Sequence, residues 1–332
     1  MNMWGQTGCV YDAMTHAEPA DTYSSRIVSH SKVRLRSLRG TGARISLCLV
    51  GSLYLLSAAH AAPTEAIRIR FAAQVGAVPF ACGQDYSSIG MTSSTITPTD
   101  FRFFISDASL MRADGTAVPV TLDQDGTWQY RNLALLDFED GTGPCRNGNA
   151  AMNTEIRGKI TKGDYVGVRF TLGVPFELNH GDPTLAPSPL NFTSMFWVWK
   201  AGYRFLKIDM ATSGQPDKRL EYAVGNAAVE KERSVGFPVH IGSAGCASAS
   251  LTTPPTTSCK YPNRVTVTLG HFKLGHSVVV ADLAALLKSS NVDINTPNTA
   301  PGCMSEPTDP DCVGVMQALG ISGEAQQLFH LR

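Results

Sequence analysis

Residues 67–75 read IRIRFAAQV and residues 100–111 read DFRFFISDASLM. In the first stretch Ile67, Ile69 and Phe71 alternate with Arg68 and Arg70. Side chains on a strand point to opposite faces in turn, so this period of two predicts a half-buried β-strand. The second stretch continues as another strand. Asp114-Gly115 and Asp125-Gly126 then mark tight turns, leading through VPVTL and TWQYRNLALLDF. The pattern persists in YVGVRFTLGV, FWVW, YRFLKIDM, GFPVHIGS and NRVTVTL. Many short strands between turn signals predict an all-β fold, an antiparallel β-sandwich. Helical signal is confined to the C-terminal part. Asp282 is placed to cap a short helix over DLAALLKSS, and VGVMQALG suits a second.

The N-terminal 61 residues follow another logic. Ile45–Ala59, ISLCLVGSLYLLSAA, is uncharged and mostly apolar, preceded by Arg34, Arg36, Arg39 and Arg44 and followed by Ala59-His60-Ala61. That is the form of a cleaved secretory signal, too short for a comfortable membrane span. The polar stretch before it suggests a mis-assigned start codon, with translation expected to begin near Val33. Residues 62–332 are expected to form a single β-sandwich domain. Of 28 basic and 28 acidic residues, the first 61 carry six and three, leaving 22 against 25 and a net charge of −3. Such a surface does not invite nucleic acid or an anionic membrane.

Six cysteines remain beyond the leader: Cys82, Cys145, Cys246, Cys259, Cys303 and Cys312. An even number in an exported chain reads as disulfides. Near-neighbour pairing favours Cys246–Cys259 and Cys303–Cys312, leaving Cys82–Cys145. Thiols joined in this way are not metal thiolates, so a metal needs other ligands. Two long loops stand out. The stretch 243–263 is rich in Ser, Thr and Pro, and 179–191, NHGDPTLAPSPLN, holds three prolines. Such loops on rigid sheets often carry function.

Motifs for common enzymes are missing: no G-x-S-x-G, no H-E-x-x-H, no phosphate-binding glycine loop, no C-x-x-C-H. The histidines leave alternatives open. His180 is either a solvated loop residue or an imidazole oriented by Asn179 and Asp182. His240 takes the face opposite Phe237, Val239 and Ile241, as an ordinary outer-face residue or as part of a site. His271 and His276 flank a turn, HFKLGH. Trp197 and Trp199, one residue apart, would point the same way on a strand; core packing is the plainer reading. Trp128 reads as a packing residue. Asp137, Glu139 and Asp140, and likewise Glu306, Asp309 and Asp311, could hold calcium through oxygen ligands, or could be solvated acidic turns.

Seven ordered segments carry a resemblance: PFACGQDYSSIG, DFRFFISDASLM, LLDFEDGTGPC, GVPFELNH, MFWVWKAGYRFLKID, VHIGSAGC and GCMSEPTDPDC. Together they resemble the MbnP-like family, also called metallo-mystery pair proteins with a four-Cys motif, over about Ile67 to Phe329. The resemblance implies an exported β-sandwich encoded beside a di-haem c-type enzyme of the MauG or cytochrome c peroxidase kind. It implies that this partner oxidises a tryptophan to kynurenine, and that the product helps histidines bind copper. By motif, the histidines are His180 and His240 and the tryptophans are Trp197 and Trp199. A periplasmic or surface-associated copper-binding protein, not itself an enzyme, is therefore expected. The competing expectations are a secreted copper oxidoreductase using the same residues, and a carbohydrate- or protein-binding sandwich with an exposed tryptophan platform. A platform would need exposed indoles.

Overall fold

The computed structural model describes residues 62–214, 217–220, 223–224, 227–228 and 232–332, with only the backbone between 215 and 235. The leader, its cleavage signal and the proposed start lie outside the described residues. Ten strands carry the architecture: β1 Thr64–Val75, β2 Ser94–Met111, β3 Leu133–Asp137, β4 Glu155–Thr161, β5 Gly167–Leu172, β6 Leu206–Thr212, β7 Val239–Ile241, β8 Val265–Gly270, β9 Val278–Asp282 and β10 Phe329–Leu331.

They form two sheets. One runs β10-β9-β1-β4 and ends on the short strand Thr121–Leu122; the other runs β7-β6-β2-β5-β8, with β3 also paired to β2. Ile67, Ile69 and Phe71 are buried between exposed arginines, as the alternation requires. From the other sheet Phe101, Phe103 and Phe170 meet them. Phe71 and Phe103 lie 6.3 Å apart and Phe170 and Phe329 5.1 Å apart, edge to face, which suits the ring quadrupoles. The fold is thus an all-β sandwich. One pairing is parallel: β1 runs with β9, from Arg70↔Val278 to Gln74↔Asp282.

The expected helices form. Asp282 caps α2 (Leu283–Leu287; α1 is the single turn Phe176–Asn179) by accepting from the Ala284 and Ala285 amides, and α3 spans Val313–Leu319. The three disulfides pair Cys82–Cys145, Cys246–Cys259 and Cys303–Cys312. Among the described residues no helix is long and apolar enough to cross a membrane.

The larger sheet is covered on its second face too. Phe104 and Leu135, which point away from the sandwich core, pack with Val174, Leu190, Met195, Phe196, Tyr203 and Phe205. This layer is built mostly from the 174–205 segment, and it decides where the functional side chains lie.

Candidate metal centre

Here the strand expected over FWVW is absent. Thr193–Met195 is a 3-10 turn, and 196–203 is a loop closed by a Phe196↔Tyr203 bridge and by the Gly202 amide on Val198 O at 2.7 Å. Two loop residues do not share a strand's alternation, so the indoles part company. The Trp197 ring lies 6.3 Å from the His240 ring, with the Arg204 guanidinium 5.0 Å from its centre. Trp199 packs edge-on to Phe196 at 5.9 Å. Both are half-buried. With their faces engaged by different neighbours they do not form a common flat platform.

His180 follows α1, which sequence patterning missed because one turn has no periodicity to detect. The imidazole is buried, 5.0 Å from the Phe176 ring. Its Nδ1 donates to Trp199 O at 2.8 Å, leaving Nε2 as the acceptor, 3.1 Å from the Asn179 side-chain amide. Burial lowers its pKa, against the pull of the Trp199 carbonyl. Asn179 does the orienting that was also expected of Asp182, and it ties the loops together. Its Oδ1 accepts from Tyr203 N at 2.9 Å and its Nδ2 lies 3.4 Å from Ser243 Oγ. Asp182 instead closes its own turn on Thr184. Cys246 and Cys259 lie near enough to His180 to form a ligand-like group, but their sulfurs are bonded to each other.

His240 sits on β7, between the core residues Val239 and Ile241, and points to the second face of the sheet. Its backbone is held by Cys303 O at 2.9 Å and by Ser305 Oγ at 2.8 Å, so the Cys303–Cys312 segment flanks the strand. Nε2 lies 2.6 Å from Asp209 Oδ1. Nδ1 is buried with no hydrogen-bond partner. Burial lowers the imidazole pKa, and Asp209 opposes that shift.

Behind His240 a row of charges crosses the sheet. Register places His240 opposite Lys207, Lys207 opposite Arg102 and Arg102 opposite Asp137, with Asp209 opposite Asp100 one step along. Arg102, with no exposed surface, chelates Asp100 through two nitrogens, approaches Glu139 at 3.8 Å, and donates to Ser194 Oγ in the covering loop at 3.0 Å. Lys207 bridges Asp100 and Asp209. For Asp209, burial would raise the carboxyl, but the His240 hydrogen bond and the Lys207 charge and hydrogen bond hold it well below the ordinary range. Arg204 is pushed down to about 10 by burial, and donates to the Ser194 and Phe196 carbonyls of the tryptophan loop. Sequence reading passed over these residues. Their signal is present, since DFRFF and FLKID each place two charges on one face of an otherwise apolar strand.

The acidic turns are not solvated as a group. Asp137 and Glu139 are fully buried, and Glu139 accepts from the Gly141 and Asn149 amides. Asp140 bonds Thr142, Asp309 caps a 3-10 turn and Asp311 holds Thr296. These carboxylates are engaged within the chain, which leaves the calcium reading without an open oxygen cage among the described residues. His271 and His276 are exposed in their turn, and Trp128 packs on Phe192 at 5.6 Å.

Burial pushes Asp137 up to about 7, against the Asn149 hydrogen bond and the Arg102 charge. An acid with a raised folded pKa stabilises the fold in its protonated form. That contribution is full below the unfolded carboxyl pKa and is lost as pH rises through about 7. The loss is expected to reach up to ~1.4 kcal/mol per pH unit across the window. Urea titrations over this pH range should show a shallower slope for Asp137→Asn than for the parent.

Gly242 shows why this corner admits no side chain. A Cβ there would lie 2.5 Å from Tyr203 O and 2.8 Å from the Trp197 ring. Gly242→Ala should displace the indole from His240 and cost about 1–3 kcal/mol, as overpacking does. An unchanged denaturation midpoint and unchanged tryptophan fluorescence would contradict this.

A model of the MbnP family matches residues 64–305. The chain belongs to the MbnP family. It is similar to the solved structure of MbnP from Methylosinus trichosporium, at 29% identity and a TM-score of 0.67, over 81% of this chain and 98% of that one. No curated protein matches. Within this MbnP-family chain, the structure joins both expected histidines to one loop: His180 through the Trp199 carbonyl, His240 through the Trp197 ring.

Proposed function

We propose that this MbnP-family chain is an exported copper-binding protein of copper acquisition or homeostasis, working in the periplasm. Its ligands are His180, His240 and a donor made from Trp197 or Trp199. A di-haem, MauG-like partner makes that donor, so the chain is a substrate of an enzyme and not a catalyst. The observation that carries the reading is the buried, unpartnered Nδ1 of His240 beside the Trp197 ring. A buried polar atom without a partner is costly, and a metal would satisfy it.

The donor set suits the metal. Among the described residues every cysteine is in a disulfide and offers no thiolate, and imidazole nitrogen favours copper among the first-row ions. Copper would supply the cation that these nitrogens bind. Kynurenine forms when the C2–C3 bond of the indole is cleaved, each carbon gaining an oxygen atom from two equivalents of peroxide or one of dioxygen, and one water then hydrolyses the formyl group off as formate. The partner supplies the oxidising equivalents. The product offers an aryl amine and a ketone where the indole had no basic nitrogen. The chain's own residues hold the two imidazoles in fixed tautomers and keep the loop in place through Arg102, Arg204 and Asn179.

The test is expression with and without the di-haem partner. Co-expressed protein should show the mass change of tryptophan conversion and bind about one copper(I) in competition with a chelator. Protein made alone should keep its mass and bind poorly. Equal affinity in the two preparations would overturn the reading.

A further inference from the structure

Asp209 and His240 stand on neighbouring strands, on the face of the sheet turned away from the sandwich core. Lys207 is directly opposite His240, and Asp209 is the next residue of β6 on that face. The register between β6 and β2 shifts immediately after Asp209, between it and Met210. Bulges of this kind re-aim side chains beside functional positions.

We propose that Asp209 is the positioning residue that selects the donor atom of His240: its carboxylate holds the Nε2 proton, so the lone pair lies on the buried Nδ1, and Nδ1 is the atom that meets the metal. The inference rests on the functional reading above for the metal, and on geometry alone for the tautomer. An ionised carboxylate only accepts, so at 2.6 Å the proton belongs to Nε2. A neutral ring then has its free lone pair on Nδ1, the one buried imidazole nitrogen of His240 with no partner. The carboxylate is itself fixed. Lys207 Nζ lies 2.7 Å from Asp209 Oδ2, leaving Oδ1 for His240. Lys207 is anchored in turn by Asp100, and Asp100 by the fully buried Arg102. This is the carboxylate–histidine order found behind metal-binding imidazoles, where the outer carboxylate fixes tautomer and ring orientation.

The experiment reads the tautomer in the metal-free protein and the affinity separately. Long-range proton–nitrogen correlation spectra of the full chain should show His240 protonated on Nε2 and bare on Nδ1. In partner-modified protein, Asp209→Ala should mix the tautomers and weaken copper(I) binding about 10–100-fold in chelator competition. Asp209→Asn leaves one acceptor oxygen for two donors, Lys207 and His240, so it should disturb the tautomer as Asp209→Ala does, whereas Asp209→Glu keeps both oxygens and should lose less affinity than either. An Nδ1-protonated ring in the parent overturns the proposal, whether or not the variants fold. So does an Asp209→Ala protein that binds copper(I) as tightly as the parent. Absence of copper binding in the modified parent would sink the functional reading instead, leaving the tautomer result to stand by itself.

Discussion

Replacing His240 by Ala is expected to abolish tight copper(I) binding while leaving the tryptophan conversion intact. Oxidation requires the partner's haems and an indole, and His240 supplies neither. Binding requires the imidazole. Loss of an outer-shell partner alone costs about 10–100-fold in metal affinity, so loss of the ligand itself should exceed about 100-fold. Trp197→Phe and Trp199→Phe divide the complementary case. Phe fills most of the indole volume, so both should fold at modest cost. The one that replaces the converted residue should lose both the mass change and the tight binding, and the other should keep the mass change. Intact-mass measurement alongside chelator competition reads the two effects separately. An H240A protein that retains parental copper affinity would remove His240 from the site.

The second large effect concerns stability. Arg102→Met should destabilise the chain by roughly 3–5 kcal/mol, the range for breaking a buried ion pair from one side. Arg102 has no exposed surface and answers Asp100 and Glu139, both buried. Burial would lower its pKa, but the Asp100 hydrogen bond and the Asp100, Asp137 and Glu139 charges together raise it, so the charge belongs to the fold. Without it Asp100 keeps its ion pair with Lys207, Glu139 keeps its backbone amides, and the covering loop loses the Ser194 contact. A denaturant midpoint within error of the parent would show that this network is dispensable. Copper affinity measured in folded Arg102→Met protein should also fall, because Lys207 and Asp209 lean on the same chain of charges.

Local pattern alone determined the sandwich. Alternation in IRIRFAAQV and VHI fixes which residues face the core, because a strand's period is two whatever it pairs with. Cysteine parity and short spacing foretold the three disulfides, and Asp282 foretold the cap of α2. The motif order also pointed to the family and to His180 and His240 as residues worth weighing. The tertiary structure decided the rest. FWVW has the composition of a strand, yet the 3-10 turn before it and the Gly202 closure make it a loop, so Trp197 and Trp199 meet different neighbours. Asp137 and Glu139 look like solvent-loving turn residues, and lie buried because Arg102, two backbone amides and the Asn149 side chain meet them there. Asp209 reaches His240 only because β6 and β7 pair in one register, although the two residues are 31 positions apart in the chain. Periodicity records what each segment does with its own neighbours. Which charge faces which imidazole depends on strand order and register, and those are set by packing between segments distant in sequence.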